Sequence, residues 1–194
     1  MTADTTNARR EKLAALLEDG DSVIIFANSQ ANLEKFNQDK NFLYFTGLNH
    51  PELIYTAFKL GGRFIDILFI QRGDPEREVW EGKKLGADKA SLQSGIQKVK
   101  YLDEFYPVLS GYCPLLKRIF SNLGIAALNK PPTYPMFMLE PVRAKHPRIE
   151  IRQMDDLVAP LRKIKDSWEI SSFRKRSTSP AWASSTSGTM PPPE

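Results

Sequence analysis

Apolar residues recur along this chain with two periods, one near 3.6 and one of 2, and these mark helices and strands. Leu13, Leu16 and Leu17 share one side of a helix expected over Thr6–Leu17, with capping oxygens at Thr5, Thr6 and Asn7 and a stop at Gly20. Ser22–Ala27 (SVIIFA) is short, apolar and β-branched, as a buried strand should be. After a polar connection, Asn28–Lys40, the run Phe42–Thr46 reads as a second strand ended by Gly47. Leu53–Leu60 and Arg63–Ile70 read as two more strands, and Gly61-Gly62 between them suits the positive φ angles of a two-residue hairpin. In the later of the two, Ile65, Ile67 and Phe69 alternate with Asp66, Leu68 and Ile70. One face is wholly apolar and the other mixed, which fits a strand covered on both sides.

Gln71–Lys84 is a polar loop broken by Gly73, Pro75 and Gly82. A short helix is expected over Ala87–Gln93 and a strand over Val99–Leu102. Asp103 suits the cap of a helix running to about Phe120, with Leu109, Leu116, Ile119 and Phe120 as apolar contacts and Gly111 and Pro114 as interruptions. Gly124–Leu128 then reads as a strand, Tyr134–Ala144 as a helix containing Pro141, Ile149–Met154 as a strand and Asp155–Ile164 as a helix. Asp166 followed three residues later by Glu169 is the signature of a helix start. Ser177–Glu194 is Ser, Thr and Pro with little to bury, the composition of an unpacked tail. About six strands interleaved with helices predict an α/β domain, and the glycine hairpin makes its sheet mixed.

Composition narrows the class. The 194 residues suit one domain with a tail, and 41% hydrophobic with 26% charged residues is ordinary for a globular protein. The net charge of +4 is local, since Pro141–Arg176 carries ten Lys and Arg against five acids. These cations are interleaved with acids and lack stacking aromatics, so a solvated surface is expected and a nucleic-acid partner is not. No apolar run approaches membrane-spanning length and no secretory leader pattern opens the chain, so a cytoplasmic protein is expected, with no membrane partner. One cysteine, Cys113, excludes an internal disulfide and a cysteine-based zinc site.

Little of the chain carries chemistry. His50 and His146 are the two histidines, each preceding a proline, and both read as turn residues. No phosphate loop and no Gly-x-Ser-x-Gly elbow occurs. Cys113 has no histidine near it in sequence and reads as a buried, inert thiol. Asp66 is the one acid inside a strongly predicted strand, too few for a magnesium nuclease.

A wider pattern carries more. Phe42-Leu43-Tyr44-Phe45-Thr46-Gly47-Leu48, then Pro51-Glu52, then Glu78-Val79-Trp80-Glu81-Gly82 and Leu85-Gly86, resembles the N-terminal domain of the Xaa-Pro aminopeptidases of the prolidase and creatinase superfamily. The resemblance runs from about Arg9 to Arg174, and Leu161–Ile170 looks like that family's hinge. It implies a mixed sheet of about six strands flanked by helices, related to the ribonuclease H-like fold. It also implies a catalytic domain of pita-bread fold beyond the hinge, holding two divalent metals, commonly manganese, through two Asp, one His and two Glu, and cleaving the bond before proline. By this likeness Trp80 lines the outer part of the substrate cleft, although packing of its own loop is an equal reading. Asn37 stands where many relatives carry an Arg that helps hold a substrate carboxylate across the domain interface. A neutral Asn cannot make that bidentate contact.

The expected organisation is therefore an aminopeptidase P-like domain over residues 1–165, the start of a hinge helix over 166–176 and a disordered tail over 177–194. The expected function is that of a non-catalytic N-terminal domain cut off before the metal-binding domain, inactive alone and with no cofactor of its own. Its expected partners are a catalytic domain or full-length relative and a second copy in a homo-oligomer, with peptide substrate met only in the full enzyme. A stand-alone interaction module and an inactive remnant are the alternatives. Apolar area is expected on Trp168, Ile170 and Phe173 of the hinge helix.

Overall fold

The structure, a computed structural model, describes residues 2–29, 36–73, 84–125, 129–166 and 168–171. It divides into two units, Met1–Leu161 and Arg162–Glu194. The first is built on six strands: β1 (Asp21–Phe26), β2 (Ile54–Leu60), β3 (Arg63–Ile70), β4 (Val99–Tyr101), β5 (Arg118–Ser121) and β6 (Glu150–Gln153). They lie in the order β4-β3-β2-β1-β5-β6. The pairs β1–β2 and β2–β3 are antiparallel, and the other three are parallel. The mixed sheet expected from the hairpin is present, and Gly61 and Gly62 take φ of 55° and 71° in its turn.

Helices cover both faces. These are α1 (Ala3–Leu16), α2 (Lys40–Thr46), α3 (Ala87–Ser94), α4 (Phe105–Tyr112), α5 (Tyr134–Lys145) and α6 (Asp155–Lys163). Leu13, Phe42, Phe45, Ala90 and Val158 from α1, α2, α3 and α6 pack with Val23, Ile25 and Leu68 of the sheet. Phe105, Leu109, Leu139 and Val142 from α4 and α5 pack on the opposite face with Ile24, Phe26 and Phe69. The alternation read in β3 sorts in this way, with Leu68 and Ile70 on one side and Ile67 and Phe69 on the other.

Three expectations are corrected. Phe42–Thr46 is not a strand but most of α2. Its aromatics have strand propensity, but Asp39 caps the backbone N–H groups of Asn41 and Phe42 and Gly47 closes the helix at φ 70°. The helix expected from Asp103 to Phe120 stops as an α-helix at Tyr112. Pro114 lacks the N–H that would continue the ladder, a 3-10 turn follows, Leu116 is extended, and Arg118–Ser121 is β5. Asp103 does not cap it either: Glu104 accepts from Tyr101 N, while Asp103 pairs with Arg72. The strand expected at Gly124–Leu128 is absent at Gly124 and Ile125, where Gly124 has φ 75° and Ile125 is 88% exposed, and residues 126–128 lie outside the described residues. One smaller difference is that Asp66 is not the one acid in a strand, since Asp21 opens β1 and Glu150 opens β6.

In the second unit, residues 168–171 are helical. Asp166 N donates to Glu169 Oε2 at 3.1 Å and Glu169 N donates to Asp166 Oδ1 at 2.8 Å, the reciprocal cap read from their spacing. Ile164 and Ile170 are exposed; Phe173 and the expected tail, Ser177–Glu194, lie outside the described residues.

Candidate functional site

Polar side chains collect where β1, β5 and β6 end, and a chain-wide network holds them. Gln38 is its centre, 5% exposed. Its Oε1 accepts from Asn28 N at 3.0 Å and Asp39 N at 2.9 Å, and its Nε2 donates to the carbonyls of His50, at 2.7 Å, and Leu48, at 3.4 Å. One amide thus clips the segment after β1, the entry to α2 and the turn before β2. Asn28 Nδ2 donates to Asn37 O at 2.8 Å. Asn37 is exposed and anchored by its backbone, so its side chain faces solvent.

Asn122, just past β5, repeats strand pairing with a side chain. Its Oδ1 accepts from Phe26 N at 3.0 Å and its Nδ2 donates to Phe26 O at 2.8 Å. Asn41 Nδ2 reaches Asp155 Oδ1 at 3.3 Å, Gln153 Nε2 reaches Asp155 Oδ2 at 2.8 Å, and Gln153 Oε1 accepts from Leu123 N at 2.8 Å. Phe26, Asn28, Asp39, Asn122, Thr133 and Tyr134 line a cleft of about 320 Å³ here. The rim continues past β2 and β3. Glu52 takes φ 56°, the one positive φ on a non-glycine among the described residues, and Gln71 Nε2 donates to its carboxylate. Arg72 lies 4.0 Å over the Tyr101 ring and 3.1 Å from Asp103.

The side chains of this rim mostly hydrogen-bond one another and the backbone. Among the described residues no group of three or more His, Cys, Asp or Glu could hold a metal ion, so they do not fit the two-metal centre of the resembled enzymes. His50 is half-buried, and burial first, then nearby Lys89, holds its imidazole below the usual range. His146 ends α5 through its backbone. Cys113 is 3% exposed and burial pushes its thiol up, which disfavours the nucleophilic thiolate. Trp80 lies outside the described residues. Gln38, Asp39 and Asn122 were not anticipated as rim residues. The Gln-Asp pair beside Asn37 was a usable signal for the first two once α2 is a helix; Asn122 had none.

The fold defines a class, an α/β domain on a mixed six-stranded sheet with polar side chains at its strand ends. Comparison with known proteins gives the family. Residues 6–119 match the family described as aminopeptidase P, N-terminal domain. Over 184 residues the chain is 27% identical to intermediate cleaving peptidase 55 of Schizosaccharomyces pombe, covering 90% of this chain and 38% of that protein. It is 33% identical over 118 residues to human Xaa-Pro aminopeptidase 3, covering 52% of this chain and 23% of that protein. A solved structure from Bacillus anthracis assigned as an aminopeptidase P superposes with a TM-score of 0.80 at 30% identity, covering 88% of this chain and 42% of that one. The Escherichia coli aminopeptidase P in its low-pH form gives 0.75 at 22%, a likeness of fold. The chain belongs to the aminopeptidase P N-terminal domain family, and it spans about two-fifths or less of the relatives it matches.

Proposed function

We propose that this chain acts as the non-catalytic N-terminal domain of an Xaa-Pro aminopeptidase-like metallopeptidase, its strand-end rim forming one wall of a substrate cleft. The observation that carries this reading is the pairing of a family match over residues 6–119 with a rim that has binding groups but no metal-holding cluster among the described residues. Release of an N-terminal residue ahead of proline, and the two divalent metals that drive it, commonly manganese, belong to a catalytic domain that partners this one. Asn37, with its solvent-facing side chain, stands at the rim, and Trp80 is assigned to the outer cleft by its motif. No helix among the described residues is long and apolar enough to cross a membrane, and a cytoplasmic location fits the composition.

The test is a chimera. Residues 1–165 replace the matching domain of the Bacillus anthracis relative ahead of its catalytic part, and Xaa-Pro peptide hydrolysis is measured with manganese. Activity that depends on the graft, absent from the isolated 194-residue chain, supports the reading. A folded, metal-loaded chimera that leaves Xaa-Pro peptides uncut while the parent cuts them overturns it.

A further inference from the structure

β6 ends the sheet, and among the described residues only its β5 side is paired. Glu150 N donates to Lys117 O and Met154 N to Ser121 O, each at 2.9 Å. In a parallel ladder alternate residues turn both backbone groups the same way. Ile151 and Gln153 therefore present their N–H and C=O to the open side. Such an edge templates pairing with another chain unless its side chains oppose it.

Here the side chains are complementary to their own image. Laid antiparallel on itself about a twofold axis at Ile151, β6 sets Glu150 opposite the second copy's Arg152, and Arg152 opposite the second copy's Glu150. Directly opposed side chains of opposite charge favour pairing, and like charges oppose it. Within one copy the two already meet at 2.7 Å on one face of the strand, each about half exposed, at 54% and 48%. They are free to exchange partners across the axis. The flanks extend the match. Lys145 and Arg148 precede β6 and Asp155 and Asp156 follow it, all exposed. Antiparallel pairing brings each basic approach beside the other copy's acidic exit. Among the described residues Lys145, Arg148 and Asp156 take part in no ion pair.

We propose that β6 is a self-pairing edge through which two copies of this chain join antiparallel, extending one sheet into the other. An isologous contact of this kind repeats every pair twice and closes at the dimer. The ladder is short, so the contact belongs to the weak, transient end of specific interfaces.

Sedimentation velocity on the full chain from roughly 5 to 500 µM, a range chosen for a weak contact, reads the dimer directly. The expected result is a reversible dimer whose dissociation constant rises with salt. R152E places like charges across the axis twice and should weaken it by about tenfold or more. The exchanged double variant E150R/R152E restores opposite charges and should restore the dimer. I151P removes the outward N–H at the axis and should also abolish it, with circular dichroism confirming the fold. A chain that stays monomeric throughout overturns the proposal. So does a dimer indifferent to R152E and I151P, which would locate the contact elsewhere, or one that E150R/R152E fails to restore.

Discussion

Arg10 on α1 and Asp66 on β3 form an ion pair of 2.9 Å, with the arginine side chain 5% exposed and the carboxylate 24%. The same guanidinium donates to Phe45 O at 2.8 Å and Ser94 O at 2.9 Å, and also bonds Asn7 Oδ1. One side chain therefore ties α1 to α2, to the end of α3 and to the sheet. Burial pushes the Asp66 carboxyl up and Arg10 pulls it back. Removing the cation from such a pair is costly because it leaves a buried charge without compensation.

R10M should destabilise the fold by about 3 kcal/mol or more, read from urea unfolding. The double variant R10M/D66L should recover a good part of that loss, since the stranded carboxylate is gone. In R10M alone, Asp66 moves further up, so the folded state binds its proton more tightly than the unfolded chain. That variant should lose stability as pH rises from the ordinary carboxylate range through the folded value. A double variant no better than the single would show that the carbonyl bonds of Arg10, not its charge, dominate.

Gln38 gives a second prediction. Q38M keeps the apolar stem but removes every bond of the amide, leaving Asn28 N, Asp39 N and the His50 carbonyl to find water in a buried site. A loss of about 1–3 kcal/mol is expected, with amide exchange quickening first at Asn28 and Asp39. Unchanged exchange at both positions would mean that Gln38 does not hold the rim together.

Parts of this were legible in the sequence for definite reasons. Gly61-Gly62 between two strand-like runs is a strong local hairpin signal, and β2 and β3 pair across it with both glycines at positive φ. The cap at Asp166 and Glu169 is a local contract between two side chains and two N–H groups, so spacing alone reveals it. α2 was misread because Phe42, Tyr44 and Phe45 favour strands by propensity, whereas their burial beneath α1 and the cap at Asp39 decide the outcome. β5 was hidden because Ile119 and Phe120 continue an apolar spacing that begins in α4; of the two interruptions, Gly111 lies inside the helix and Pro114 marks the break. The rim was the least legible part. Asn122 pairs with Phe26 across 96 residues, and no local pattern encodes such a bond.

His50 supplies a pH signature. Its imidazole is held below the usual range by burial first and Lys89 second. Between that lowered value and the unfolded value of about 6.5, the unfolded chain binds more protons, so stability rises with pH there. The contribution is fully present at neutral pH and drains away as pH falls through 6.5 toward the folded value. H50N should flatten that slope while leaving the Gln38 bond intact, because Gln38 holds the His50 carbonyl, not its ring. An NMR titration placing His50 at or above the ordinary imidazole value of about 6.5 would contradict the sign.

Metal addition tests the proposed division between this domain and a catalytic partner. The described residues offer no group of three His, Cys, Asp or Glu able to hold an ion. A site of 10 µM affinity would, at 1 mM manganese, stabilise the folded state by about 2.7 kcal/mol. For a domain of this size that is a rise of roughly 5–10 °C in melting temperature. The expected observation for the isolated chain is a melting temperature unchanged by 1 mM manganese within about 1 °C, a change too small for any such site, and no hydrolysis of an Xaa-Pro peptide. The chimera with a relative's catalytic domain should show both the thermal shift and turnover, each abolished by a chelator. A chelator-sensitive shift in the isolated chain would place metal ligands on this domain and remove the division of labour proposed for it.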